Sequence, residues 1–135
     1  MKSKLSLLFL LIVLFSACQQ NNSVEGPAVK KGMVKVTILY PNSEGKTFDM
    51  DYYSTKHMPM IGTLLGDSLK LIKIDKGIAA GAPDTPVPYL AIGYLYFESV
   101  SAFKNSFGPH AEKIRGDVKN YTNIQPVVLI SEVLQ

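Results

Sequence analysis

A chain of 135 residues with one cysteine, no tryptophan and a formal charge of +3 has room for one hydrophobic core and no thiol pair for a disulfide framework. Two of its positive charges, Lys2 and Lys4, sit at the extreme N-terminus, and the rest form no basic stripe interleaved with aromatics, so a nucleic-acid partner is not expected. Seven Tyr and six Phe supply the aromatic bulk of the core.

Lys2 and Lys4 flank the start of an apolar run over residues 5–15 that only Ser6 interrupts, and the small residues Ser16 and Ala17 follow. That run is well short of the roughly 20 residues needed to span a bilayer, so residues 1–17 read as an export signal rather than a membrane helix. Leu14-Phe15-Ser16-Ala17-Cys18 resembles the lipobox of bacterial lipoproteins, with Phe15 at a place where Leu is usual. The resemblance implies that Cys18 is acylated and becomes the new N-terminus. The domain would then sit outside the cytoplasm on the bacterial cell envelope, touching the membrane through its lipid anchor only. A lipidated Cys18 leaves no thiol for metal binding or nucleophilic attack. Residues 18–32, rich in Gln, Asn, Ser, Gly and Pro, hold too few apolar side chains to pack and read as a flexible tether.

Residues 33–135 form the single domain. Residues 33–40 alternate, with Val34, Val36, Ile38 and Tyr40 on one face and Lys35 and Thr37 on the other, as in a strand with one buried face. After a loop at Pro41, Asn42 and Gly45, Thr47 is placed to cap a helix whose first turn carries Asp49 and Asp51. Phe48, Tyr52, Tyr53, Ile61, Leu64 and Leu65 recur at helical spacing, with Pro59 bending or restarting the helix and Gly66 stopping it. A less regular strand follows over residues 69–78, then a loop punctuated by Gly77, Gly81, Pro83, Pro86 and Pro88. Residues 89–97 are apolar on both faces, which predicts a strand buried on both. Ser99 caps a second helical stretch through Phe103, Phe107, Ala111, Ile114 and Val118, broken at Gly108-Pro109, and Pro126 opens a last apolar strand.

Strand, helix, strand, strand, helix, strand is the split βαβ order of an α+β, ferredoxin-like fold: a four-stranded antiparallel sheet with helices on one face. The apolar character of residues 89–97 and of the last strand predicts that the second face is covered as well. A two-fold homodimer closing into a barrel does this with one self-complementary surface.

The stretch Phe48-Asp49-Met50-Asp51-Tyr52-Tyr53-Ser54-Thr55-Lys56-His57-Met58-Pro59-Met60 resembles the Phe-x-x-Tyr-Tyr-x-x-x-His-x-Pro-Leu signature of the EthD family, with Met60 in place of the common Leu. Ser99-x-x-Ala102-Phe103 and the strand opened by Pro126 are also similar to that family, so the resemblance spans nearly all of residues 33–135. It implies a dimeric α+β barrel enclosing an apolar cavity. It also implies an association with ethyl tert-butyl ether degradation, a frequent reductase label, and barrel relatives among polyketide cyclases, monooxygenases, chlorite dismutases and haem-degrading enzymes. One fold hosting so many reactions does not select among them.

Tyr53 and His57 stand four residues apart, with Ile61 four further on, so a phenol and an imidazole share one helical stripe. Histidine moves protons near neutral pH and a tyrosine donates to a developing oxyanion, which makes His57 and Tyr53, or Tyr52 in its place, the candidate catalytic residues. The competing reading is that His57 packs as a satisfied half-buried residue beside Pro59. Asp49 and Asp51 point in different directions on a helix and read as dipole-stabilising carboxylates; His110, beside Pro109, is expected at the surface. Two isolated histidines without metal-ligand spacing, and no Gly-x-Gly-x-x-Gly after a strand, give no motif for a metal, a haem or a nicotinamide, so no cofactor is expected. Two functions remain. One is an enzyme of reductase or proton-transfer type acting on a small hydrophobic molecule in the barrel. The other is a non-catalytic module that binds such a molecule.

Overall fold

The computed structural model describes residues 28–135. The expected export signal, Cys18 and most of the tether lie outside the described residues. The last tether residues make defined contacts: Met33 N–H donates to the Lys30 carbonyl at 3.2 Å, and Gly32 N–H to the Val133 carbonyl at 2.8 Å.

Four strands form one antiparallel sheet: β1 (Val34–Pro41), β2 (Leu71–Lys76), β3 (Tyr89–Phe97) and β4 (Val127–Glu132), in the order β2-β3-β1-β4. β3 inserts between β1 and β2, so the connection from β1 to β2 crosses it as a helix, giving the split βαβ arrangement. The fold is therefore α+β and ferredoxin-like, as the element order predicts. In register, Val34, Val36, Ile38 and Tyr40 of β1 lie beside Phe97, Leu95, Gly93 and Ala91 of β3. This set faces the helices and builds the main core with Tyr53, Met58, Ile61, Leu65 and Ile114.

The first helical stretch comprises α1 (Met50–Tyr52), a π turn (Tyr53–His57) and α2 (Met58–Leu65). Its cap is Asp49, whose side chain accepts from Tyr52 N–H at 2.9 Å. Thr47, the expected cap, is instead held by Asn123, which accepts from its N–H at 3.0 Å. Pro59 acts as expected of a helix restart. It has no N–H for the preceding turn and its ring crowds the carbonyl four residues back, and the widened turn just before it relieves that conflict. There, Met58 N–H bonds to the Tyr53 carbonyl five residues back. Gly66 ends α2 with φ 52°, a conformation glycine adopts without a Cβ penalty.

The second stretch is α3 (Val100–Phe107) and α4 (Ala111–Asp117), joined by a 3₁₀ turn at Gly108–His110. Ser99 caps it as expected, accepting from Ala102 N–H at 3.0 Å, a contact worth about 1 kcal/mol. His110 is half-buried in the turn rather than exposed.

Within one chain only the helix-facing side of β3 is fully buried. On the other side Tyr96 packs with Met33 and Val133, while Ile92 and Tyr94 are half-exposed. The apolar residues of β4, Val127, Val128, Leu129 and Ile130, keep 53, 55, 55 and 43% of their surface exposed.

At Gly93 the absence of a side chain lets the helix side chains Tyr53 and Met58 approach the sheet backbone. A Cβ built there would lie 2.1 Å from the Tyr53 hydroxyl and 3.1 Å from Met58 Cε. Alanine in a strand gains roughly 0.5–1 kcal/mol over glycine, but displacing a packed ring costs about 1–3 kcal/mol. Gly93→Ala is therefore expected to lower Tm, and Tyr53→Phe in that background to recover part of the loss, because the remaining ring carbon lies 3.4 Å away. A Gly93→Ala chain as stable as the parent would contradict this packing.

Candidate functional site

The start of the first helical stretch and the end of the second are stapled together. Asp49 N–H donates to the Tyr121 carbonyl at 2.7 Å, Phe48 and Thr122 form a β-bridge, and the Thr122 hydroxyl donates to the Thr47 carbonyl at 2.7 Å. These contacts bring Tyr52, Tyr53 and His57 to the end of α4, where Asp117 lies, followed by Asn120 and Tyr121.

A continuous hydrogen-bond chain results. His57 Nδ1 lies 2.7 Å from Asp117 Oδ2; the Tyr52 hydroxyl donates to Asp117 Oδ1 at 2.9 Å and Asn120 Nδ2 to the same oxygen at 2.8 Å. On the other side of the imidazole, Nε2 is 3.3 Å from the Tyr121 hydroxyl, which is 2.7 Å from the Tyr40 hydroxyl. An ionised Asp117 only accepts, so Nδ1 carries the imidazole proton and Nε2 presents a lone pair. The remaining donors fall into line: Tyr121 donates to Nε2, and Tyr40 donates to Tyr121.

The protonation states agree with this direction. Burial pushes the His57 imidazole below its ordinary value of 6.5, and the Asp117 carboxylate beside it offsets that only in part. Partial burial pushes the Asp117 carboxyl up, but hydrogen bonds from His57, Asn120 and Tyr52 outweigh it and hold the group below the usual carboxylate range. Burial raises Tyr40, Tyr53 and Tyr121 far enough that all three stay protonated.

Tyr40, Tyr53, His57 and Tyr121 line one wall of a cavity of about 890 Å³ between the sheet and the helices. That is within the ordinary size of a small-molecule site. Ile61, Phe103, Phe107 and Ile114 make much of the rest apolar. The Tyr53 and His57 rings stack with centroids 5.6 Å apart and planes at 19°, as two rings four residues apart on one helical stripe can. The Tyr53 hydroxyl, in the space left by Gly93, is buried without a hydrogen-bond partner. Among the described residues no three His, Cys, Asp or Glu side chains converge as metal ligands.

The structure thus brings Tyr53 and His57 to the cavity and places Tyr52 elsewhere: its ring is not part of the wall, and its hydroxyl holds Asp117 from behind. The motif-based expectation did not include Asp117, Asn120, Tyr121 or Tyr40. One signal was present for Tyr40, since a tyrosine on the buried face of a strand needs a partner for its hydroxyl.

A histidine-walled apolar cavity on an open four-stranded antiparallel sheet defines the class as an α+β, ferredoxin-like protein. The EthD domain family matches residues 43–125, and the chain belongs to that family. Among solved structures, an EthD-like protein from Ralstonia eutropha JMP134 is similar at 38% identity and a TM-score of 0.74, over 78% of this chain and 96% of that one. An ethyl tert-butyl ether d (EthD) family protein from Bacillus halodurans C-125 is 17% identical with a TM-score of 0.58, over 76% and 99%. A hydroxynitrile lyase from Passiflora edulis is 16% identical with a TM-score of 0.51, over 78% and 97%. The latter two share the fold. No curated protein sequence matches the chain.

The depressed imidazole has a consequence for stability. Below about pH 6.5 the unfolded chain takes up a proton at His57 that the folded chain refuses, so stability is full above that pH and falls as the solution is acidified toward the lower folded value. Asp117, depressed in the fold, loses its contribution at still lower pH. Thermal melts from neutral to mildly acidic pH should show a declining Tm, with a shallower decline just below pH 6.5 in His57→Gln. Equal slopes in the two chains would mean that His57 titrates freely.

Proposed function

We propose that the cavity receives a small hydrophobic molecule and that His57 moves a proton on it. The observation that carries this is the orientation of the imidazole: Nδ1 is fixed on Asp117, so Nε2 presents its lone pair beside the Tyr121 hydroxyl in the cavity wall. An acidic C–H or O–H bond of the ligand breaks, its proton passes to the Tyr121 oxygen as the Tyr121 hydroxyl proton passes to Nε2, and the electron pair stays on the ligand. The resulting imidazolium is stabilised by Asp117, and the Tyr53 ring, stacked on the imidazole, holds it in place. Asp117, Tyr52 and Asn120 act as positioning residues. A second reading, a binding module without turnover, is favoured by the fact that Tyr40, Tyr121 and His57 already satisfy one another, as a passive wall also requires.

The test uses the full chain with a panel of small apolar ketones, ethers and phenols. His57→Ala is expected to lower turnover by about 10²–10⁴-fold while binding is retained. Binding with no turnover by the parent chain leaves the module, and turnover unaffected by His57→Ala removes the proton-transfer role.

The same reading includes an acylated Cys18 that anchors the domain to the bacterial cell envelope, and a homodimer whose subunits meet through the open sheet face. The support is the lipobox-like leader and the exposed apolar residues of β4. Cys18→Ser is expected to lose incorporation of a clickable fatty acid, to leave the membrane fraction, and to scatter light as a dimer. Label persisting in that variant would remove the anchor, and a stable monomer at micromolar concentration would remove the pairing.

A further inference from the structure

The cavity has a chemical polarity that the proton-transfer reading does not use. Its buried floor is made of Tyr40, Tyr53, His57 and Met58, whereas Lys104 and Arg115 line it and are exposed, so they mark its open side. No Asp or Glu lines the cavity. Among the described residues, neither cation lies within ion-pair distance of a carboxylate, the sole ion pair being His57 with Asp117. The Arg115 guanidinium rests 5.6 Å over the Phe107 ring, which itself lines the cavity, and this fixes the charge next to the apolar wall. Both cations stand in the last turns of α3 and α4, where the helix dipole favours positive charge. The dipole explains a basic residue at each helix end, but it does not explain their convergence on one opening or the lack of any acid there.

Resting on the reading that the cavity holds an apolar ligand, we propose that the ligand is an apolar carboxylic acid. Its carboxylate is held at the opening by Arg115 and Lys104 and its hydrocarbon body lies against Ile61, Phe103, Phe107 and Ile114, so that the end remote from the carboxylate reaches His57. Two cations beside a low-dielectric wall, without competing carboxylates, attract an anion more strongly than the same cations in open water.

The experiment titrates the full chain with 2-naphthoate and with the neutral, nearly isosteric 2-naphthamide. Naphthoate is expected to bind about tenfold more tightly. Arg115→Gln/Lys104→Gln is expected to bring the two within about twofold by weakening naphthoate alone. Raising salt from about 50 to about 500 mM should weaken naphthoate selectively in the parent chain. Equal affinities in the parent, or a preference that survives the double substitution, overturn the anionic assignment while naphthamide binding leaves the apolar cavity standing. If neither compound binds, both readings fall. If the double variant loses both ligands through misfolding, the salt series decides: selective weakening supports the proposal and parallel behaviour overturns it.

Discussion

The contact between His57 Nδ1 and Asp117 Oδ2 orients the whole polar wall of the cavity. Asp117 is the last residue of α4, where the helix dipole disfavours a negative charge by roughly 0.3–1 kcal/mol. Three donors converge on that carboxylate, from His57, Tyr52 and Asn120, and hydrogen bonds to a charged group are worth about 1.5–3 kcal/mol each. The donors win, so the carboxylate stays ionised at a place the helix alone would not favour. Once ionised it can only accept, and that one fact sets the tautomer of His57, the donor direction of Tyr121 and the donor direction of Tyr40. Exchanging Asp117 for a residue that can donate would reverse the sequence of donors along the wall.

A second constraint comes from the backbone. Pro59 cannot supply an N–H to the turn before it, and the chain answers with the π turn over Tyr53–His57. Tyr53 and His57 keep their shared stripe and stack through that turn, and Tyr53 is pressed toward the sheet at Gly93. Only a residue without a side chain can face it, which is why Gly93 stands in the middle of a strand where glycine is otherwise unfavourable. The proline, the wide turn and the glycine are three parts of one geometric solution, spread over two elements.

Much of the fold was legible from local chemistry. The Ser99 cap and the Gly66 stop are decided by residues within a few positions of each other and stand as the pattern predicts, whereas in β1 Thr37, expected on the open face, is buried too. The capping of the first helix shows the limit. Thr47 and Asp49 are both competent caps, and the choice fell to Asp49 because Asn123, 76 residues along the chain, holds the Thr47 backbone. The site shows the same limit. His57 and Tyr53 were visible because the helical stripe they share lies within one short segment. Asp117 and Tyr121 lie 60 and 64 residues from His57, and nothing in local spacing marks an aspartate at one helix end as the partner of a histidine in another. Tyr52 was placed with Tyr53 by proximity, but adjacent helical residues point in different directions, and its hydroxyl turns to Asp117.

β4 ties the cavity to the open face of the sheet. Pleating sends alternate side chains to opposite sides. Val128 and Ile130 therefore line the cavity, while Val127 and Leu129, beside Leu39 and Thr37 of β1, face the side without helices. All four are exposed in a single chain because β4 is an edge strand with little over it. An edge with apolar side chains on both faces is a poor surface to leave in water. Any surface that covers Val127 and Leu129 must also bear on the backbone that carries Val128 and Ile130. Closing the open face and shaping the rim of the cavity are therefore one structural event, which gives the proposed pairing of subunits a direct bearing on what the cavity can hold.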